Sequence, residues 1–293
     1  MESFHKSLIN NRGRFLLHDQ EIYRKGVTVA EVSAKPLIPR VRSGIPGFDE
    51  LVEGGIPRNH VVLLSGQAGS GKTLFGLQFL AKGASEYGER GLYVAFEQSR
   101  EDVLEHTRPF GWNVEELEAK GALGILSFFG SHAHAAQMLA EMENKVAELR
   151  PQRMVVDSVT TLGLHLDMMM GAEMLQMMQL DPKDAPQIPS GEAVTRRAMI
   201  EIIGRLKAMR LTALVISELP ETAEFLSRDT VSEYLADGVV MMHYLPIGGS
   251  VFSNLQVRKM RGTGHRKELF GTEIRPGVGL VVKREGASSI SLR

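Results

Sequence analysis

Short apolar runs, most of them ending in a polar or charged residue, alternate along this chain with segments in which apolar residues recur every three or four positions. Runs of the first kind are Val61 to Leu64, Leu92 to Phe96, Leu123 to Phe128, Met154 to Val156 and Leu214 to Ile216. Their length and apolar, partly β-branched content predict buried strands. The second kind predicts helices. One begins at Leu74, carries Phe75, Leu77, Leu80 and Ala81 on its apolar side, and is ended by Gly83 or Gly88. Ser99 is suited to cap a helix running through Arg108, with Glu101 and Asp102 in its first turn. A charged helix is expected from Val114 to Lys120. Leu139, Met142, Val146 and Leu149 mark another, stopped by Pro151, and Ile202, Ile203, Leu206 and Met209 mark one from Glu192 to Arg210. From Val239 to Val282 the pattern becomes strands joined by turns at Gly248-Gly249 and Gly277 to Gly279. Strands alternating with helices, followed by hairpins, predict an α/β fold. Its sheet is mostly parallel, twisted and flanked by helices, with a C-terminal antiparallel extension.

Residues 1–40 show no clear period and are read as an N-terminal extension, flexible or packing on a neighbour. Two turns rich in Gly and Pro, at Gly44 to Gly47 and Gly54 to Pro57, flank a short helical piece that feeds the first strand. No linker interrupts Arg42 to Arg261, so residues 41–284 are assigned to one domain and 285–293 to a tail. Within the domain, residues 167–191 stand apart. They hold Met168, Met169, Met170, Met174, Met177 and Met178, then Pro182, Pro186 and Pro189. Methionine adapts to irregular apolar partners, so the segment either packs within its own subunit or offers a loop to a protein partner.

The strand at Val61 to Leu64 leads into Gly66-Gln67-Ala68-Gly69-Ser70-Gly71-Lys72-Thr73, a full match to G-x-x-x-x-G-K-[ST]. Strand, glycine-rich turn and helix stand in the required order. Gly66, Gly69 and Gly71 let backbone N–H groups close around phosphate oxygens at the positive end of the helix. Lys72 is then suited to the β- and γ-phosphates and Thr73 to Mg²⁺. These residues predict that the chain binds a nucleoside triphosphate. The loop reads phosphates rather than the base, and so does not separate ATP from GTP.

Phosphoryl transfer also needs a metal carboxylate, an oriented water and added positive charge. Asp157 ends a strand where a carboxylate can reach the Mg²⁺ shell. Glu97 ends the strand after the loop's helix and is the candidate for orienting the attacking water, with Gln98 as a second polar candidate. Glu218 ends another strand and is a candidate sensor of the γ-phosphate. The basic run Arg258 to Arg261 ends a strand and is either a solvated cluster or a positive finger for the next subunit. His132 and His134 lack nearby acidic partners and are assigned no metal.

Composition narrows the surroundings. With no Cys among 293 residues, disulfides, thiolate zinc sites and cysteine nucleophiles are excluded. A net charge of −1 argues against a constitutive, charge-driven nucleic-acid binder. The polar start of the chain and the lack of a long apolar run predict neither a secretory signal nor a membrane span, and a cytoplasmic protein is expected.

The phrase from Arg42 to Pro57, the phosphate loop, the F-E-Q at Phe96 to Gln98, V-V-D-S at Val155 to Ser158, I-S-E at Ile216 to Glu218 and K-M-R-G at Lys259 to Gly262 together resemble the KaiC-type ATPases. These belong to the RecA-like P-loop superfamily. The resemblance covers about Arg42 to Val282. It implies ATP and Mg²⁺ as cofactors and a homo-oligomer, a hexameric ring with ATP at subunit interfaces. By that resemblance Glu97 is the first of a catalytic glutamate pair, Asp157 is the Walker B carboxylate, and Lys259 and Arg261 reach the neighbour's γ-phosphate. The sequence departs from the pattern in having one such domain rather than two, and in Gln98 where the pair has a second glutamate. Glu233 and Tyr234 stand where the family's autophosphorylated Ser-Thr pair lies, and the stretch 167–191 is longer than usual. A regulatory or signalling ATPase is therefore expected. The alternatives are a RecA- or RadA-like DNA-dependent ATPase, a nucleotide-gated interaction module of very low turnover, and a Ser/Thr kinase of the KaiC kind.

Overall fold

A computed structural model of the chain describes residues 38–131, 133, 135–163, 191–220, 226–227, 231–247 and 250–286. The N-terminal extension as far as residue 37, the Met- and Pro-rich segment over 167–190, His132, His134 and the tail beyond 286 lie outside the described residues. Strands β1 (Arg40–Val41) and β2 (Ile56–Pro57) pair antiparallel around a 3-10 turn at Asp49–Val52. The main sheet then begins with β3 (Val61–Gly66), helix α1 (Lys72–Tyr87) and β4 (Gly91–Ala95). Next come α2 (Arg100–Thr107), α3 (Val114–Ala119), β5 (Leu123–Ser127), α4 (Ala135–Leu149) and β6 (Arg153–Asp157). The remainder is α5 (Gly191–Ala208), β7 (Thr212–Glu218), the short α6 (Ser232–Leu235), β8 (Gly238–Ile247), β9 (Ser250–Met260), β10 (Phe270–Arg275) and β11 (Gly279–Gly286).

The nine strands lie in the order β11-β10-β9-β8-β3-β7-β6-β4-β5. Neighbours from β8 to β5 run parallel, and β9, β10 and β11 add antiparallel to the β8 edge. Successive residues of the central strands enter opposite cores, as the two-residue period of a strand requires. Val62, Leu64, Tyr93, Ala95, Val155, Leu214 and Ile216 pack with Phe75, Phe79 and Leu80 of α1. Val61, Leu63, Leu92, Val94, Met154, Val156 and Val215 pack with Met138 and Met142 of α4 and with Ile202, Ile203 and Leu206 of α5. Both faces are covered, which is why these strands are apolar throughout rather than alternating.

Local signals act where they stand in the sequence. Gly88 ends α1 at φ 65°, its N–H bonded to the Gly83 carbonyl. Ser99 and Asp102 form a capping box at the start of α2. That helix stops at Thr107 rather than Arg108, because Pro109 has no N–H to continue the ladder and the chain, with Arg108 still helical, tightens into a 3-10 turn at Arg108–Phe110. β5 likewise ends at Ser127, and Phe128 turns in to stack on Phe96 with ring centroids 5.2 Å apart. Among the described residues no helix is long and apolar enough to cross a membrane.

Candidate functional site

Strand β3 delivers the glycine-rich loop to the carboxyl edge of the sheet. Gly66 pairs with Glu218 of β7 on one side and with Met242 of β8 on the other. From β3 the chain crosses beyond β7 and β6 to β4, while β8 lies on the opposite flank, so the strand order reverses beside β3. Crevices of this kind, outside the carboxyl ends of parallel strands, are where ligands bind in open α/β sheets.

Gly66 to Thr73 wrap the start of α1. Gly69 and Gly71 sit at φ 75° and 94°, in the left-handed region that side chains with a Cβ avoid. Gly66 is required by crowding instead, since a Cβ there would lie 2.1 Å from the Met242 carbonyl oxygen. Ala68 and Gly69 are exposed at the tip and Ser70 is buried. The Gln67 carbonyl accepts from Ser70 Oγ at 2.8 Å and from Lys72 Nζ at 2.8 Å. The Gln67 side chain accepts from the Tyr244 amide at 3.1 Å, and the Tyr244 hydroxyl donates to the Gly69 carbonyl. Gly71, at the N-cap, gives α1 no side-chain cap, which leaves the first-turn amides and the positive end of a 16-residue helix for an anion. Burial pushes the Lys72 ammonium below its ordinary range, against the pull of Glu218, Asp157 and Glu97. A bound polyanion would favour the charged form of this lysine.

Three strand ends bring carboxylates to the same edge. Asp157 closes β6, and its Oδ2 accepts from Thr73 Oγ1 and from the Tyr93 hydroxyl, each at 2.7 Å. Burial raises the Asp157 carboxyl above the ordinary range, while the bonds from Tyr93 and Thr73 work the other way. Burial, then the Asp157 charge, pushes the Tyr93 phenol well up, so it remains a donor. Thr73 and Asp157 offer the hard oxygen donors that suit Mg²⁺. Among the described residues no group of three or more His, Cys, Asp or Glu could hold a metal, so an ion at this pair needs phosphate and water oxygens to complete its shell.

Glu97 follows β4 and is exposed. Its Oε1 accepts from Ser158 Oγ at 2.6 Å and from the Thr161 hydroxyl, while the Phe96 amide donates to the Asp157 carbonyl at 2.8 Å and ties the two strand ends together. The Gln98 carbonyl accepts from Ser127 Oγ at 2.7 Å, and the Gln98 Oε1 is buried without a hydrogen-bond donor among the described residues. Glu218 ends β7, its amide donating to Thr160 Oγ1 at 3.1 Å. The structure therefore brings the loop, Glu97, Asp157 and Glu218 to one edge of the sheet. Sequence reasoning missed Tyr93, Ser158, Thr161 and Tyr244. The legible signal was a phenol inside an otherwise aliphatic strand and the hydroxyls of Ser158, Thr160 and Thr161 within four residues after Asp157.

Lys259 and Arg261 are not brought to that edge. β8 runs parallel to β3, and β9 returns antiparallel so that Met260 faces Gly238 at the opposite end. The Asp237 amide bonds to the Val61 carbonyl, five residues before Gly66, which is about 16 Å along a strand. There Arg261 pairs with Asp237 at 2.8 Å, and Asp237 also takes Lys207 at 2.7 Å. Burial works to raise the Asp237 carboxyl, but the bonds from Lys207, the Val61 amide and Arg261 prevail and hold it below the ordinary range. Lys259 Nζ donates to the carbonyls of Glu233, Tyr234 and Ala236 at the end of α6, and burial lowers it. A cleft of about 550 Å³ opens beside it, lined in part by Tyr234, Gln256, Arg258, Lys259 and Lys267. Glu233 is buried and Tyr234 exposed, so this pair presents no hydroxyl of the Ser-Thr kind.

Comparison with known proteins gives a consistent result. The family described as "ATPase: KaiC" matches residues 41–188 and 180–287. A UPF0273 protein of Thermotoga maritima is 32% identical over 244 residues, covering 78% of this chain and 90% of that protein. The circadian clock oscillator protein KaiC of Synechococcus elongatus is 29% identical over 239 residues, which are 78% of this chain but 41% of that protein. The chain thus spans about two fifths of the length of that clock protein. The crystal structure of a KaiC-like protein from Pyrococcus horikoshii covers 84% of this chain and 99% of its own, with a TM-score of 0.69 and 31% identity.

Proposed function

The chain belongs to the KaiC ATPase family, and from that premise we propose that it is a ring-forming, Mg²⁺-dependent ATPase with ATP held between adjacent subunits. The observation that carries this is the separation of the two halves of the site. The loop, Glu97 and Asp157 lie at one edge of the sheet, and Lys259 and Arg261 at the other. One subunit alone leaves the γ-phosphate without its added cation, whereas two copies in a ring supply both halves.

In this reading Gly66, Gln67, Ala68, Gly69, Ser70 and Gly71 direct backbone amides at the phosphates and Lys72 contacts the β- and γ-oxygens. Thr73 and Asp157 hold Mg²⁺, which when bound offsets charge on the phosphates. Glu97 orients the attacking water and takes its proton as the bond to the γ-phosphorus forms and the β–γ bridge breaks, with ADP as the leaving group. Glu218, whose charge acts on the Lys72 ammonium, responds to the loss of the γ-phosphate in this reading. Lys259 and Arg261 act on the neighbour's γ-phosphate. The hydrolysis cycle would serve a regulatory conformational change.

The test is turnover per subunit against protein concentration, for the wild type and Arg261→Ala. A wild-type rate that rises as subunits assemble, lost in the variant, supports the reading. Flat and similar curves overturn it. A second reading, a nucleotide-gated module of very low turnover, draws on Gln98, whose neutral amide accepts no proton where the family pattern has a glutamate.

A further inference from the structure

We propose that Tyr93 is a positioning residue for the metal carboxylate, its phenol fixing Asp157 so that the other carboxylate oxygen faces the ion. Tyr93 sits on β4 two residues before Ala95, which pairs with Asp157 of β6, and it belongs to the core beneath α1. Packing there asks only for an apolar ring of this size. A buried hydroxyl, by contrast, is costly unless it is partnered. Tyr93 is fully buried, and its hydroxyl donates to Asp157 Oδ2 at 2.7 Å. The Thr73 hydroxyl donates to the same oxygen at the same distance. Two donors converging on Oδ2 from β4 and α1 fix the rotation of the carboxylate. Thr73 keeps its oxygen lone pairs for a metal while it donates its proton, so the threonine serves ion and carboxylate together. Tyr93 has no ligand task of its own; it acts on the metal through Asp157, beside the Thr73 hydroxyl that its phenol also adjoins. Hydrogen-bond partners of metal-ligating carboxylates of this kind typically govern affinity by about tenfold or more.

The inference rests on the ATP- and Mg²⁺-binding reading above, and the experiment separates the two. Full-length wild type and Tyr93→Phe are compared in two titrations. In the first, a fluorescent ATP analogue is added in EDTA. In the second, Mn²⁺ is added to protein saturated with a non-hydrolysable ATP analogue and read by electron paramagnetic resonance. Mn²⁺ affinity is expected to fall about tenfold in Tyr93→Phe, with metal-free nucleotide affinity held within twofold. Unchanged Mn²⁺ affinity overturns the inference, as does an equal loss in both titrations, which would mark a packing role only. A wild type that binds no nucleotide removes the underlying reading instead. Should Tyr93→Phe fail to fold, Tyr93→Leu, which also lacks the hydroxyl, is carried through the same titrations with the same outcomes.

Discussion

Arg261 Nη1 lies 2.8 Å from Asp237 Oδ1, at the end of the sheet away from the phosphate loop. Asp237 in turn takes the Val61 amide and Lys207, so the arginine is held by its own subunit at the start of the strand whose far end carries Gly66. If the arginine acts at all on a triphosphate, it acts on a neighbour's.

Arg261→Ala is therefore expected to lower turnover by at least about a hundredfold, since such fingers are worth several orders of magnitude. Arg261 is itself exposed and Asp237 keeps Lys207 and the Val61 amide, so loss of the pair should cost only about 1 kcal/mol of stability. Lys72→Ala should be inactive as well. Mixed rings of the two variants should regain roughly a quarter of the sites, because a loop intact in one subunit meets an arginine intact in the next. Steady-state hydrolysis of the mixture checks this, and a mixture as inactive as its components would contradict it.

Asp157→Asn should separate stability from function. Burial raises this carboxyl in the folded chain, so ionising it opposes folding. The sign follows: the penalty is absent below the ordinary carboxylate range and grows as pH rises through the raised folded value. In EDTA the Asn variant should melt above the wild type at pH 7, with the gap closing toward pH 4. Adding magnesium to ATP should raise stability further only in the wild type. Thermal unfolding across that pH range is the measurement.

Gly66→Ala tests crowding at the loop. The added Cβ would meet the Met242 backbone oxygen at 2.1 Å, and backbone in a central strand cannot yield cheaply. A loss of about 2–3 kcal/mol is expected, with nucleotide affinity falling in parallel. Denaturant unfolding and an ATP-analogue titration report on each.

Glu97→Gln should reduce turnover by about 10²–10⁴ while leaving ATP-analogue affinity near wild type, as removal of a general base does. Gln98→Glu should raise turnover if the neutral amide is what slows the site. Single-turnover hydrolysis distinguishes the two, and an unchanged rate in Gln98→Glu would assign slow turnover, where it exists, to another cause.

The phosphate loop, the central strands and most helix ends were legible because their causes are local. A glycine that must adopt positive φ, a Ser99 that caps its own helix and an aliphatic run covered on both faces each carry their physics in adjacent residues. The strand-end carboxylates were legible for the same reason, since a parallel sheet gathers all its carboxyl ends at one edge. What the sequence determined by itself was thus the α/β order, the triphosphate loop and the candidate acids Glu97, Asp157 and Glu218. Tertiary structure alone decided that Tyr93 and Thr73 share one oxygen of Asp157, and that Ser158 and Thr161 hold Glu97. It also set Arg261 about 16 Å along the sheet from the loop, with the Lys259 ammonium turned to the carbonyls at the end of α6. Those relations depend on register between strands distant in sequence and on the direction each side chain takes from its strand, and neither is encoded in any short stretch of the chain.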